Sequence, residues 1–512
     1  MGEEKRKEGI DEEVNAKANM KDKVLSGAFW VFLEKGGLSI AEFIVAWVLA
    51  RFFLTPADYS TVGLISIFIN FSNVFVQGGF NNALIQKKKL EDDDCSTVFW
   101  LSLGLSCVFY IGLFFGAPFI ASYYARPILK MVLRIQSLSL ILGALCVVQT
   151  AILTRQMEFK KIFLRTCLST VLSAVLGIGA AFLGFGVWTI VIQMLTVSVV
   201  NLFVMWFSVK WRPRFRFSIK RLKELFGFGS NMLASNVISF AHSNTLPVVM
   251  DKLYAPSTLG YYNKSRTIPT KVGDAINSTV SNVVFPSLSK YQSEPEKVKE
   301  MTRRFIVTAS FLMFAIMGGL IAVAKPLILF MYTDKWANSI IMMQFVCVSY
   351  AFMPLNSANL QAIKALGRGD IYLRLEIIKD VIGIVLLGVA IFLTRDMEHG
   401  LYIVLAVQAF VSLLSVAINA FPNKKLMNYS FLEQLKDILP SLLLAVIMCG
   451  AVYSVSFLGL SDLLTLVIQL PLGVLIYCGF AYILKFECFR YIINTAKGFI
   501  VKKFNLRKGD NK

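Results

Sequence analysis

Long apolar segments alternate with short polar ones from about residue 24 to about residue 484 of the chain. Most of these segments hold about 20 residues, enough for an α-helix to cross a hydrocarbon core of about 30 Å. The pattern therefore predicts an all-α, polytopic integral membrane protein with fourteen transmembrane helices. The predicted spans are 24–50, 59–80, 97–119, 129–153, 163–184, 187–209, 226–249, 267–288, 305–324, 339–362, 376–394, 400–421, 439–458 and 463–484.

The composition excludes a soluble protein of this size. Of the 512 residues, 56% are hydrophobic and only 16% are charged, and the mean hydropathy is +0.64. A soluble chain of this length needs far more charged surface. The first 23 residues are polar and carry both charges, and they lack the apolar stretch of a signal peptide. We expect them to form a disordered cytoplasmic tail.

Lysine and arginine are distributed unequally between the two sides of the predicted spans. Of the 52 such residues, 39 fall on the side that holds the N-terminus, 8 on the other side and 5 inside spans. Because positively charged loops stay in the cytoplasm, both termini are predicted to be cytoplasmic. This topology accounts for the net charge of +20, so nucleic acid is not an expected partner.

Cysteine and histidine do not indicate a metal site or a disulfide framework. The eight cysteines mostly lie inside apolar spans, none has C-x-x-C spacing, and the two histidines are His242 and His399. We therefore predict no cofactor, no metal ligand and no catalytic cluster.

The two halves of the chain resemble each other. ARFFLTPADYSTVG follows the first span and MDKLYAPSTLGYYN follows the seventh, so that Pro56 and Pro256 occupy matching positions. Such duplication is common in transporters that rock one half against the other around a midplane site. The predicted parts are a tail, 1–23; an N-terminal six-helix lobe, 24–209; a basic cytoplasmic linker, 210–225; a C-terminal six-helix lobe, 226–421; and a last helix pair with a basic cytoplasmic tail, 422–512.

Polar residues recur at helical spacing inside the first, second, seventh and eighth spans. Ionisable groups inside spans are costly and usually face a cavity or a partner. A single serine or asparagine more often joins two helices by a hydrogen bond. Since these four spans correspond between the halves, we expect their stripes to line a shared hydrated cavity. The predicted cavity-lining residues are Glu34, Glu42, Asn70, Asn73, Gln77, Asn231, His242, Asp274 and Asn277.

Eight strings occur in order between about residues 21 and 360: LARFFLTPADYSTVGL, FNNALIQKKK, LTRQMEFKKIFLRT, FLGFGVWTIVIQ, LFGFGSNMLASNVI, LGYYNKSR, VVFPSLSKYQ and TDKWANSI. Together they resemble the polysaccharide transporter family of bacterial lipid-linked oligosaccharide flippases, within the multidrug/oligosaccharidyl-lipid/polysaccharide exporter superfamily. The resemblance implies two pseudo-symmetric six-helix lobes in the bacterial inner (plasma) membrane. They would carry undecaprenyl-diphosphate-linked oligosaccharide repeat units to the outer leaflet for exopolysaccharide or other surface polysaccharide. Exporters of colanic or teichuronic acid are the most similar subgroup.

A diphosphate that crosses a membrane needs cationic partners. Arginine binds phosphate oxygens through its planar fork, and lysine acts as a point charge. The resemblance implies that basic residues of the first and eighth helices serve this role. The candidates are Lys35, Arg51, Lys264, Arg266 and Lys271. Membrane lipids and the polysaccharide polymerase machinery are further expected partners of a monomeric chain, and coupling to H+ or Na+ stays open.

Two other functions fit parts of the pattern. A cation-coupled multidrug exporter of the same superfamily needs acidic cavity residues, which Glu34, Glu42 and Asp274 could supply, but basic residues are at least as numerous there. A membrane glycosyltransferase, ligase or polymerase needs a sizeable extracytoplasmic region, whereas each predicted outer loop is shorter than about 20 residues. No nucleotide-binding glycine motif appears either. We therefore do not expect an enzyme.

Overall fold

The computed structural model describes residues 30, 33–77, 84, 87, 90–156, 158–279, 284–395, 397 and 399–494. All the regular secondary structure within these ranges is helical. The side chains of residues 35, 36, 223–232, 234–236, 238, 242, 279 and 286 also lie outside the description. The predicted tail therefore stays untested, whereas the all-α prediction is confirmed.

Within the described residues, ten α-helices begin before residue 260. The first, α1 (Ser39–Val48), is continued at both ends by π-helical turns, Leu33–Leu38 and Leu49–Phe53. The others are α2 (Pro56–Gln77), α3 (Asp92–Tyr123), α4 (Ile128–Gln136), α5 (Leu138–Ala144), α6 (Val147–Arg155), α7 (Phe159–Phe182), α8 (Val187–Ser208), α9 (Ile219–Leu253) and α10 (Thr258–Thr279).

Nine more helices follow within the described residues. They are α11 (Phe285–Ser289), α12 (Pro295–Tyr332), α13 (Ser339–Ala351), α14 (Met353–Ala365), α15 (Gly369–Thr394), α16 (Gly400–Ala420), α17 (Asn423–Met427), α18 (Phe431–Ser454) and α19 (Asp462–Ile483).

Ten helical segments of the described chain are long and apolar enough to cross a membrane, and an eleventh is formed if the bent pair 128–144 and 147–155 counts as one span. The protein is therefore a multi-pass membrane protein. The predicted first, seventh and eighth spans fall on α1, α9 and α10, which are helical but are not among these segments. The count of fourteen spans stays a prediction.

Contacts within the chain divide it into two units, residues 1–260 and 261–512. The predicted boundary lay in the linker 210–225, so the observed first unit also contains α9. The linker residues explain part of this grouping, because they pack against α3. Helix α9 begins inside the predicted linker, at Ile219, and Ser218 caps it by accepting a hydrogen bond from the backbone N–H of Arg221.

The linker is bound to the start of α3 by opposite charges. Glu91 and Asp94 form a capping box at this helix N-terminus. The guanidinium of Arg221 lies 3.1 Å from Asp94 Oδ1 and also contacts Glu91, and these two bonds raise the pKa of Arg221 above its usual value. Trp100 Nε1 donates to the carbonyl of Arg214 at 2.8 Å. The acidic first turn of α3 therefore anchors the basic linker.

The last two long helices pack within the second unit. Tyr477 of α19 donates its hydroxyl hydrogen to the carbonyl of Phe311 in α12 at 2.8 Å. Gln434 of α18 is fully buried and exchanges two hydrogen bonds with Asn359 of α14, of 2.8 and 3.0 Å. Asn423 donates to the same Asn359 oxygen at 2.7 Å. Buried amides thus join three helices of this unit, α14, α17 and α18.

Candidate functional site

A cluster of polar groups joins three turns of the first unit on the side predicted to lie outside the cell. Asp251, near the end of α9, has a fully buried side chain. Its Oδ1 accepts a hydrogen bond from Ser60 of α2 at 2.6 Å and lies 3.1 Å from Arg126 Nη2. Arg126, in the turn between α3 and α4, also donates to the carbonyl of Pro256 at 2.6 Å. We name Ser60, Arg126, Asp251 and Pro256 the outer cluster.

The matching loops of the two halves meet beside the outer cluster. A Cβ atom built on Gly260 would lie 1.9 Å from the carbonyl oxygen of Pro56, which is far inside van der Waals contact. Only glycine allows this approach of two backbones. The loops that contain Pro56 and Pro256 therefore belong to one packed region, which the sequence repeat alone did not indicate.

Two predicted cavity residues, Glu34 and Gln77, lie beside Arg165 in the first unit. Glu34 Oε1 lies 3.8 Å from Arg165 Nη2 and accepts a hydrogen bond from Thr166 at 2.8 Å. Gln77 and Arg165 both line a small polar cavity of about 220 Å³, together with Asn201. Glu34 is thus held by an ion pair and a hydrogen bond.

The remaining described candidates of α1 and α2 lie apart from Arg165. Glu42 lines a separate cavity of about 260 Å³ with Tyr59 and Gln193. Asn70 is exposed, and Asn73 accepts a hydrogen bond of 3.4 Å from Gln77. The guanidinium of Arg51, at the end of the π-helical turn, lies 5.6 Å from the ring centre of Phe52.

The candidate cations of α10 have different surroundings within the second unit. Lys264 is only 7% exposed, and its ammonium lies 5.3 Å from the ring centre of Tyr332 and 5.8 Å from that of Trp336. These distances are typical of cation–π contacts. Arg266 is half-buried over the Tyr262 ring, whereas Lys271 is exposed. Arg266 and Lys271 are therefore more accessible than Lys264.

The polar stripe of α10 is partly engaged in helix packing. Asn277 accepts a hydrogen bond of 2.6 Å from Ser357 of α14, and Asp274 is exposed. The side chains of three other candidates, Lys35, Asn231 and His242, lie outside the described residues. Their proposed roles stay predictions.

An apolar groove of about 1020 Å³ lies within the second unit. Helices α12, α13 and α18 supply most of its lining, including Phe314, Phe345 and Ala445. Gly450 also lines it, and a Cβ atom added there would meet nothing within 4 Å. The groove therefore offers a continuous apolar wall with free space.

Sequence reasoning missed Arg126, Asp251 and Arg165. Arg165 lies near the start of the predicted span 163–184, and in the structure it lies in the second turn of α7, which begins at Phe159. Arg126 and Asp251 are 125 positions apart, so no local spacing relates them. The one available signal was the scarcity of cations on the predicted outer side, where Arg126 is one of only 8.

Curated relatives cover most of the chain. The succinoglycan biosynthesis transport protein of Rhizobium meliloti is 26% identical over 72% of this chain and 73% of its own length. The teichuronic acid biosynthesis protein of Bacillus subtilis is 23% identical over 89% and 94%. A lipopolysaccharide biosynthesis protein of Escherichia coli is 22% identical over 70% and 74%.

Solved structures show the type of fold. A lipid II flippase structure in an inward closed conformation superposes with a TM-score of 0.72 at 18% identity, covering 92% of this chain and all of that one. An inward-facing multidrug resistance transporter of the MATE family superposes with a TM-score of 0.62 at 16% identity, covering 76% of this chain and 94% of that one. At these identities the likeness concerns the fold alone.

A family described as polysaccharide biosynthesis protein matches residues 48–341, more than half of the chain. The matched region contains the outer cluster and the candidate cations Arg51, Lys264, Arg266 and Lys271. With the transporter fold and the relatives above, this match identifies the chain as a member of the polysaccharide biosynthesis family of membrane transporters, which are not enzymes.

Proposed function

We propose that this protein is a flippase. It translocates undecaprenyl-diphosphate-linked oligosaccharide repeat units across the bacterial cytoplasmic membrane for the synthesis of exopolysaccharide or another surface polysaccharide. The observation that carries the proposal is the family match over residues 48–341 on a fold that is similar to a lipid II flippase. The names of the relatives place them in polysaccharide biosynthesis or transport, which supports a glycan as part of the substrate.

The diphosphate is proposed to contact Arg51, Arg266 and Lys271. Burying a diphosphate without cationic partners would be very costly because water no longer solvates the anion. Arg266 is half-buried and Lys271 is exposed, so both can reach a ligand. Lys264 is packed against two aromatic rings and contributes its charge from behind this surface. Lys35 remains a further candidate.

The polyprenyl tail is proposed to lie in the apolar groove of the second unit. Inside a membrane the tail gains no hydrophobic transfer energy, because lipid is as apolar as the groove, but close van der Waals contacts with the apolar wall can replace its contacts with lipid. The groove is lined by aromatic and aliphatic side chains of α12, α13 and α18. This assignment gives the final helix pair a role in transport, because α18 forms one wall.

Alternating access is the proposed mechanism, and the bonds of the outer cluster are proposed to stabilise the state in which the outer side is closed. A transporter of this kind must separate its helix ends on the outer side to release a bulky headgroup. Arg126 joins the α3–α4 turn to Asp251 and to Pro256 between α9 and α10. We propose that these bonds persist while the outer side is closed and break when it opens.

The 39-to-8 distribution of basic residues supports cytoplasmic termini and the inner membrane as the location. A reporter fused after Lys512 that is active only outside the cytoplasm would contradict this orientation.

If H+ or Na+ drives the cycle, Glu42 is the proposed coupling group, since it lines a small cavity of the first unit. We propose a monomer that delivers its product to the polymerase machinery.

A cation-coupled multidrug exporter is the second candidate, because the superposition on such a transporter has a TM-score of 0.62. Against it, Glu34 is paired with Arg165 and the candidate cations outnumber the acids left available. Transport of a lipid-linked oligosaccharide by the purified protein in liposomes distinguishes the two functions.

A further inference from the structure

A pocket with three cations lies at one end of the second unit, far in sequence from the candidate diphosphate residues. It has a volume of about 630 Å³ and lies between the first turns of α15 and the corner that joins α16 to α17. Arg374 of α15 and Lys424 and Lys425 of α17 supply the cations. We name these residues, with their apolar neighbours Ile371, Leu375, Ile378 and Phe421, the corner pocket.

The corner pocket carries positive charge that the protein itself does not balance. No acidic residue is among those that line it. Over the described part of the chain, no carboxylate lies within ion-pairing distance of Arg374, Lys424 or Lys425. The nearby acids are already engaged: Asp370 binds Arg368 through two bonds of 3.0 Å, and Glu376 pairs with Lys379.

All three cations are exposed, and three like charges around one pocket repel one another. An anion bound between them would remove this repulsion. Lysine and arginine donate strong, charge-assisted hydrogen bonds to phosphate oxygens. The volume also lies within the range of about 300–1,000 Å³ that is common for ligand sites. The electrostatics therefore favour a phosphate group.

The apolar wall of the pocket selects a lipid over a soluble anion. Phe421 is 78% exposed and Ile378 is 47% exposed, and both line the pocket. Ile378 belongs to α15, and farther along this helix Val381 and Val385 are also more than half exposed. Acyl chains can follow this surface while the headgroup stays at the cations. Basic pockets between transmembrane helices on the cytoplasmic side are suited to anionic headgroups.

We propose that the corner pocket binds the phosphate headgroup of an anionic membrane phospholipid on the side predicted to be cytoplasmic. This site contains none of the residues proposed to bind the substrate diphosphate. A lipid bound there would stabilise the α16–α17 corner, which Asn423 joins to Asn359 of α14. The lipid thus stabilises the second unit, and it is not the transported cargo.

The test compares the full-length protein with two triple variants. The pocket variant is Arg374→Gln/Lys424→Gln/Lys425→Gln. The matched control, Lys210→Gln/Lys220→Gln/Lys436→Gln, removes three exposed charges from the same predicted side but outside the pocket. Native mass spectrometry measures bound dioleoyl phosphatidylglycerol, with dioleoyl phosphatidylcholine as the zwitterionic lipid. Thermal unfolding in detergent, with and without each lipid, gives a second readout.

We expect the wild type and the control to retain phosphatidylglycerol and to gain thermal stability from it. In the pocket variant the affinity should fall by about fivefold for each removed charge, and the thermal gain should disappear. Phosphatidylcholine should bind weakly to all three proteins. Equal phosphatidylglycerol binding by the pocket variant and the control would overturn the proposal, whether both retain the lipid or both lose it.

Two competitions separate the lipid from other phosphates. Millimolar inorganic phosphate should leave phosphatidylglycerol in place, and displacement would show that the pocket takes a soluble anion. Undecaprenyl diphosphate should bind the pocket variant as well as it binds the control. Selective loss of that ligand would make the pocket a cargo site and contradict the inference, while the proposed flippase function would stand.

Discussion

The guanidinium of Arg126 lies 3.1 Å from the carboxylate of Asp251, although 125 positions of the sequence separate the two residues. Both side chains are removed from solvent, with 11% and 0% of their surfaces exposed. Ser60 donates a hydrogen bond of 2.6 Å to Asp251 Oδ1, and Arg126 donates one of 2.6 Å to the carbonyl of Pro256. The relationship joins three turns of the first unit into one packed region.

Removal of either partner of this pair should destabilise the protein strongly. A buried charge without its partner costs about 3–5 kcal/mol, so Arg126→Ala and Asp251→Ala should each lower the free energy of unfolding by about 3 kcal/mol. The double variant should lose less than the sum, because the singles share one interaction. Reversible unfolding in detergent measures the free energy of unfolding of the two single variants and the double variant.

Lys325→Ala is the matched control for this cycle. Lys325 is exposed and lies on the same predicted outer side, so its removal should change the free energy of unfolding by less than about 0.5 kcal/mol. Strictly additive effects of the Arg126 and Asp251 substitutions would show that the pair does not act as a unit.

The candidate diphosphate residues should be required for transport but not for membrane insertion. We expect Arg51→Ala, Arg266→Ala or Lys271→Ala to abolish glycan export in cells that lack the native transporter. Arg51→Lys should restore it only partly, because it keeps the charge but loses the two-pronged geometry. Export is measured beside protein abundance on immunoblots.

Lys130→Ala serves as the control for these variants, since Lys130 is exposed and has no proposed role. Its neighbour Arg134 is less suitable, because its Nε donates to the carbonyl of Phe114 at 3.0 Å. If the three alanine variants all export normally at normal abundance, the diphosphate binds elsewhere, and Lys35 becomes the next residue to test.

A bulky side chain in the apolar groove should interfere with the polyprenyl tail. Gly450→Phe places a ring where a Cβ atom meets nothing within 4 Å, so the fold should tolerate it. We expect transport of the undecaprenyl-linked substrate to fall by roughly tenfold, which corresponds to about 1.4 kcal/mol of lost binding. An analogue with a short tail should be affected much less.

Gly388→Phe is the matched substitution outside the groove. Gly388 also lies in a long helix, α15, with nothing within 4 Å of an added Cβ atom. It should leave transport of both substrates unchanged. A similar loss from Gly388→Phe, or an equal loss for short and long tails, would argue against a tail-binding role for the groove.

The last helix pair should be needed for the stability of the second unit. Gln434→Leu leaves the buried amide of Asn359 without its partner on α18, which costs about 1–3 kcal/mol. Lys436→Ala, two positions away and exposed, should cost little. Thermal unfolding in detergent compares the two. An unchanged midpoint for Gln434→Leu would show that the amide network does not hold α18 in place.

Much of the fold could be predicted from the sequence because each membrane-spanning helix is one continuous apolar segment. Hydropathy placed α2, α3, α7, α8, α12, α15, α16, α18 and α19, and each of them is present. The predicted spans 129–153 and 339–362 are helical but divided, into α4 to α6 and into α13 and α14. The ends of the helices were predicted less accurately. The predicted span 305–324 belongs to a helix, α12, that runs from Pro295 to Tyr332, because its polar first turns continue the same backbone hydrogen bonds beyond the apolar stretch.

The surroundings of individual polar residues could not be predicted in the same way. Lys264 precedes the predicted span 267–288, so the sequence places it in a loop. In the structure it packs against Tyr332 and Trp336, which lie about seventy positions away in the sequence. Glu34 reads as a cavity acid, but its partner Arg165 comes from α7. Periodicity reports which face of a helix is polar, whereas the partner is decided by tertiary packing.

Translocation by the purified protein tests the flippase function most directly. Liposomes carry undecaprenyl-diphosphate-linked oligosaccharide in both leaflets, and a membrane-impermeant oxidant added outside destroys only the sugar that it can reach. With ion gradients of either direction imposed, the wild-type protein should expose inner-leaflet sugar over time, and Arg266→Ala at equal abundance should not. If folded wild-type protein leaves the inner-leaflet fraction as well protected as in protein-free liposomes, the chain is not a flippase for this lipid.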